Sequence, residues 1–188
     1  MITIRKGLIS IMDVFKEQVV EKEPTKRDKM LDALVKFSAF ALAFSLILGS
    51  LAFLPKASPL AVFLGGAAVW LSFRLAKNLN IEYEYAFTNG ELDVDKIIAK
   101  SKRKRLCSVH INNITSIGIW NDDMEVDADR TIVLASDNRL GVPEYYMEFV
   151  YKDYGNTILF FSPDREMIDL MMPYIPRELK KDFQNLIH

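Results

Sequence analysis

FSAFALAFSLILGSLAFL, at residues 37–54, is an unbroken run of 18 residues without charge or proline, and ASPLAVFLGGAAVWLSF, at residues 57–73, follows it almost at once. A helix needs ~20 residues to cross the hydrocarbon core of a bilayer, and a water-soluble domain of this size rarely sets two such runs side by side. Pro55 and Pro59 bracket the turn between them. The pair reads as a transmembrane hairpin with spans at about 34–54 and 59–77, inside a segment covering 33–79. Neither run contains an acidic or basic residue. Ion and proton pathways are normally built on such groups, so the hairpin reads as an anchor in the lipid bilayer rather than a conduit.

Charge on either side of the hairpin gives its orientation. Lys22, Lys26, Arg27, Lys29 and Lys36 precede the first span, Arg74 and Lys77 close the second, and Lys56 is alone in the turn. Positive residues are retained on the cytoplasmic side, which predicts an inner-membrane, multi-pass protein with both termini cytoplasmic. Within the spans, Ala41, Ser45 and Gly49 recur every fourth residue, and Ala61, Gly65, Ala68 and Ser72 make a matching stripe. Small residues let helix backbones approach where lipid supplies no hydrophobic drive, so these seven positions are the expected helix-packing surface.

The flanking segments differ in kind. Residues 1–32 are a cytoplasmic lead-in. Met12, Phe15, Val19 and Val20 fall at helical spacing there, which predicts a short amphipathic helix up to Lys22. Arg5, Lys6 and Gly7 are codable by a purine-rich ribosome-binding stretch, so Met12 is an expected translation start. Pro24 ends the amphipathic segment, and Thr25 with Asp28 has the spacing of a capping box for the first long helix.

After Lys77 the period changes to two. Ile81, Tyr83, Tyr85 and Phe87 alternate with Glu82, Glu84 and Ala86, and Asn89-Gly90 supplies a type I′ turn into a return strand at Leu92 and Val94. Further strands are expected at 104–109, 114–120, 130–135, 145–152 and 156–161, the last two joined by a tight turn at 153–155. A helix then starts with Ser162 as its cap and Pro163 in its first turn, showing one apolar face through Met167, Leu170, Met171 and Tyr174. A second short helix is expected at 176–186.

Seven antiparallel strands closed by a C-terminal helix is the order of the pleckstrin-homology (PH) superfold. IEYEYAFTNGELDVDKIIAKSKRKRLCSVHINNITSI resembles the bacterial PH-like domains that directly follow a transmembrane hairpin, through Thr88-Asn89, the basic stretch 102–105, and the Ile-x-x-Ile segment at Ile111 and Ile114. Gly90 stands where those relatives often carry a basic residue. The whole layout, from an MDVF start at Met12 to PYIP after the helix, resembles a family of uncharacterised two-span membrane proteins of Bacillota. The resemblance implies a PH-like seven-stranded barrel over 80–188, in an α+β, mainly β domain, and carries no catalytic residues.

Chemistry is sparse. Lys100, Lys102, Arg103, Lys104 and Arg105 form a basic run suited to anionic lipid headgroups or an acidic partner, although charged hairpin tips are commonly just solvated. Asp123, Glu125, Asp127 and Asp129 alternate, but a calcium loop counted from Asp123 puts Ala128 at the required glycine and Leu134 at the required glutamate. Cys107 is the single cysteine, so neither a disulfide framework nor a cysteine zinc site is expected. His110 and His188 are far apart in sequence, and the nucleotide-binding, serine-hydrolase and zinc-protease motifs are absent. A net charge of −1 argues against nucleic acid. The expected function is a non-catalytic scaffold, without cofactor or metal, that meets a protein partner or a second copy. A lipid or envelope-stress sensor, and an accessory subunit of a transport or secretion assembly, are the alternatives.

Overall fold

The computed structural model describes residues 14–53, 55–121, 123–139 and 141–187. Eight strands form two four-stranded sheets. Sheet A is ordered β1 (Phe15–Glu21), β2 (Ile81–Thr88), β3 (Glu91–Ile98), β4 (Lys102–His110), all antiparallel neighbours. In sheet B the order is β5 (Ser116–Ile119), β7 (Tyr145–Tyr151), β8 (Gly155–Phe161), β6 (Thr131–Ala135). Three expectations are corrected among the described residues. There are eight strands rather than seven, and no ladder joins the sheets among the described residues, so they stack without closing into a barrel. Nor is every pair antiparallel, because β6 lies parallel to β8 at the edge of sheet B.

The extra strand is the lead-in. Its expected amphipathic helix is a strand, with Phe15 opposite Thr88 and Glu21 opposite Glu82. A helix this short is marginal in isolation, whereas the edge of β2 offers a full ladder of backbone hydrogen bonds. The same sequence also reads at period two: Val20 points into the core, while Phe15 and Val19 stand exposed on the other face. Met12 lies outside the described residues.

This pairing changes the domain plan. The long helices α1 (Lys26–Phe53) and α2 (Ser58–Ala76) are an insertion between β1 and β2, not a tether preceding the domain. Lys22 N–H donates to the Ile81 carbonyl at 3.0 Å and Glu23 N–H to the Asp137 carbonyl at 2.8 Å, so the chain leaves and re-enters the sheet at neighbouring points. Thr25 and Asp28 cap α1 reciprocally, Thr25 N–H to the Asp28 carboxylate at 3.0 Å and Asp28 N–H to Thr25 Oγ1 at 3.2 Å. Both helices are long and apolar enough to cross a membrane. Their outer surfaces are bare, with Phe63 72% exposed.

Tyr85, Phe87, Leu92, Val94, Cys107, Met147, Leu159 and Phe161 fill the space between the sheets. Helices α3 (Arg165–Met171) and α4 (Arg177–Ile187) complete this core with Met167, Met171 and Phe183. The cap of α3 is Asp164, whose carboxylate accepts from Met167 N–H at 2.7 Å, and not the expected Ser162. Ser162 is drawn elsewhere. Its N–H donates to Tyr85 Oη at 3.1 Å and its hydroxyl to Asp137 Oδ1 at 3.0 Å, while Tyr85 itself donates to the Ala135 carbonyl. This buried network joins both sheets to the segment that leads into α1.

Candidate functional site

The basic run occupies the β3–β4 hairpin. Its tip is Ala99 and Lys100, both with positive φ (54° and 55°). Ala99 N–H donates to the Asn80 carbonyl at 3.0 Å, which sets the tip at the end of sheet A from which α1 and α2 emerge. Three of the five cations are engaged within the sheet. Lys100 Nζ reaches Glu82 at 3.2 Å and Glu21 at 3.4 Å, Arg103 pairs with Glu84, and Arg105 pairs with Asp93 at 2.6 Å and with Asp95. The acids alternate along β2 and β3 on the face away from the core, so the run answers a carboxylate stripe of its own sheet. Lys102 and Lys104, alternating with the arginines, are exposed and have no ion pair among the described residues.

Glu84 is the deepest of these acids. Burial, reinforced by a hydrogen bond with Glu17 and opposed by Arg103, raises its carboxyl to about 6. The thiol of Cys107 lies on the core side of β4 and is pushed up to about 12 by burial, which leaves little thiolate for nucleophilic chemistry. In the acidic loop, Asp127 pairs with Arg130 at 3.2 Å, and Arg130 also pairs with Glu148. That loop is thus tied to sheet B rather than to the basic hairpin.

Along the helical hairpin, Ala61, Gly65 and Ser72 are buried, with Ala68 half-buried beside them. Gly65 meets α1 at Ala43, where an added Cβ would sit 3.1 Å from the Ala43 Cβ. Ala41 and Ser45 are exposed, and Gly49 has open space around it. The α1 surface that meets α2 instead carries Ala39, Ala43, Ile47 and Ser50.

A surface the sequence pattern left unassigned lies on the outside of sheet B. Register sets Leu134, Phe160 and Tyr146 in one row across the sheet, with Phe160 between the other two, and puts Ile132 beside Ile158; Phe160 and Ile158 are buried. Trp120 packs edge-on against Phe160 at 4.9 Å and Tyr146 at 6.3 Å, and the Tyr146 ring covers Gly118, where a Cβ would come within 2.9 Å of it. Ile132 and Leu134 remain 52% and 62% exposed. Alternation in β6 was visible in TIVLA, but Val133 and the terminal Ala135 face the core, so the bulkier Ile132 and Leu134 are left to solvent.

Two stacked sheets, a C-terminal helical cap and an inserted apolar hairpin define a PH-like domain carrying candidate membrane helices. The chain belongs to the family described as bacterial PH-like domain (DUF6106), whose model matches residues 12–181. No curated protein and no solved structure matches it.

Proposed function

We propose that this protein is a membrane-anchored, non-catalytic adaptor. Its helical hairpin lies in the cell membrane with both chain ends cytoplasmic, and its PH-like domain presents the outside of sheet B to a protein partner or to a second copy. The observation that carries this reading is the exposed pair Ile132 and Leu134 on the outer face of sheet B, set over the buried side chains of Ile158 and Phe160 and near half-buried Trp120. Two adjacent large aliphatic side chains left bare on a sheet face suit the apolar centre of an interface. A photocrosslinking residue at Leu134 in native membranes is expected to give one discrete adduct, either the chain's dimer or a single partner. Substituting Ile132→Glu should abolish that adduct. A smear, or no adduct from either Leu134 or Ile132, removes the reading. Orientation has its own test: a Ser58→Cys thiol should react with an impermeant reagent from outside intact cells.

The position of the hairpin tip beside the emerging helices favours a second reading, contact of Lys102 and Lys104 with anionic headgroups. It is the weaker one, because Lys100, Arg103 and Arg105 already have carboxylate partners. Its signature is a loss of anionic-lipid retention when Lys102 and Lys104 become glutamine while the rest of the chain is kept.

A further inference from the structure

At the neck of the helical hairpin, where α1 and α2 meet the PH-like domain, lies a cavity of about 280 Å³. Asp28, Lys29, Asp32 and Lys36 line it from α1, Phe73 from α2, and Lys77 from the turn that follows. We propose that this cavity holds the phosphate headgroup of an anionic phospholipid. The proposal rests on the membrane reading of the hairpin.

Depth is the first argument. Lys36 immediately precedes one uncharged run and Phe73 ends the other, so when the runs fill the hydrocarbon core the cavity opens at headgroup level. Charge is the second. Three lysines against two aspartates leave one net positive charge in the lining. Both aspartates are already engaged: Asp28 holds the cap of α1, and Asp32 takes Lys36 Nζ at 2.8 Å. Lys36 also sits 5.5 Å from the centre of the Phe73 ring, which fixes it against the apolar wall. Lys29 and Lys77 are exposed and have no ion pair among the described residues. Both line the same cavity, Lys29 from α1 and Lys77 from the turn after α2, so a phosphate held there gains two cationic partners. Its acyl chains then run along the bare flank of the hairpin. The basic hairpin supplies no comparable enclosure, because Lys102 and Lys104 stand on an exposed strand.

The test uses the full chain in phosphatidylcholine nanodiscs with added phosphatidylglycerol, and retained lipid is read by native mass spectrometry. Changing Lys29→Gln together with Lys77→Gln is expected to weaken phosphatidylglycerol retention by about fivefold for each lysine. Lys152→Gln with Lys181→Gln, two exposed lysines outside the cavity, removes the same charge and is expected to leave retention unchanged. Unaltered retention in the Lys29 and Lys77 variant overturns the site. An equal drop in both variants assigns the effect to general charge and overturns it too. Inorganic phosphate binding to the wild type in place of phosphatidylglycerol would identify a soluble anion as the ligand and overturn the lipid assignment. Release of the protein from native membranes by alkaline carbonate is a separate result, because it defeats the membrane reading itself. Thermal melting of each variant confirms that folding is retained.

Discussion

Gly90 carries two constraints at one atom. Its φ of +94° belongs to the region that L side chains rarely adopt, and an added Cβ would come within 2.5 Å of the Tyr174 ring. Gly90→Ala should therefore cost roughly 2–4 kcal/mol, from backbone strain plus displacement of Tyr174, read as a lowered melting temperature of the purified chain. The Asn89-Gly90 pair announced the turn, but the reason for glycine there is Tyr174, which is distant in sequence. Glu84 makes a different prediction. Its carboxyl is raised from about 4.5 to about 6, chiefly by burial, so the native state binds a proton more readily than the unfolded chain. That contribution to stability is complete below about pH 4.5 and is lost as pH rises through about 6. In Glu84→Gln this part of the pH dependence should vanish. A melting profile that keeps the wild-type slope across that window would assign the slope to other carboxylates.

Among the elements, the two long helices show why one stripe was legible and the other was not. On α2 the spacing of Ala61, Gly65, Ala68 and Ser72 coincides with the face that meets α1, while Gly66 and Ala67 beside it are exposed. On α1, Ala39 and Ala43 form one small-residue row and Ala41, Ser45 and Gly49 another, about 200° apart around the axis. Periodicity cannot choose between two such rows; the partner helix does, at Ala43. The consequence separates two glycines. Gly65→Leu should push the helices apart and destabilise the hairpin by roughly 1–3 kcal/mol, measured by thermal unfolding in mild detergent, whereas Gly49→Leu should be silent there. If Gly49→Leu instead removes a co-purifying protein while the melt is unchanged, the second row is a contact for another membrane protein. Strand β1 was misread for a related reason. Its residues suit both periods, and the edge of β2 that decides between them is more than fifty positions away. The strands from β2 to β8 were legible because each carries its own alternation and turn residues, while sheet closure and the parallel placement of β6 depend on pairings that no local pattern encodes.

Taken together, the chain is one PH-like domain interrupted by a hairpin, and the interruption is structurally simple. Glu21 and Glu82 are paired in the ladder, and Lys22 N–H bonds to the Ile81 carbonyl, so β1 and β2 meet where the helices leave. An antiparallel pair in that register can be closed by a two-residue turn. Replacing residues 23–80 with a short Asn-Gly turn should yield a water-soluble domain that keeps the core of Tyr85, Phe87 and Phe161 and melts cooperatively. A fragment starting at residue 80 is expected to behave worse, despite containing the whole segment that sequence alone marks as the domain. It lacks β1, leaving the β2 edge open for aggregation. It also loses Gln18, whose side chain donates to the Ser162 carbonyl at 3.1 Å and accepts from Asp164 N–H at 2.9 Å. Size-exclusion chromatography and circular dichroism of the two proteins side by side decide the matter. Equal behaviour would mean that β1 is dispensable and that the hairpin precedes the domain after all. A folded turn-closed domain beside an aggregating fragment would mean that β1 is part of the domain and that the helical hairpin is an insertion between β1 and β2. Motions of the helices would then reach the domain through two short links, at Glu23 and Asn80, rather than through a single flexible tether.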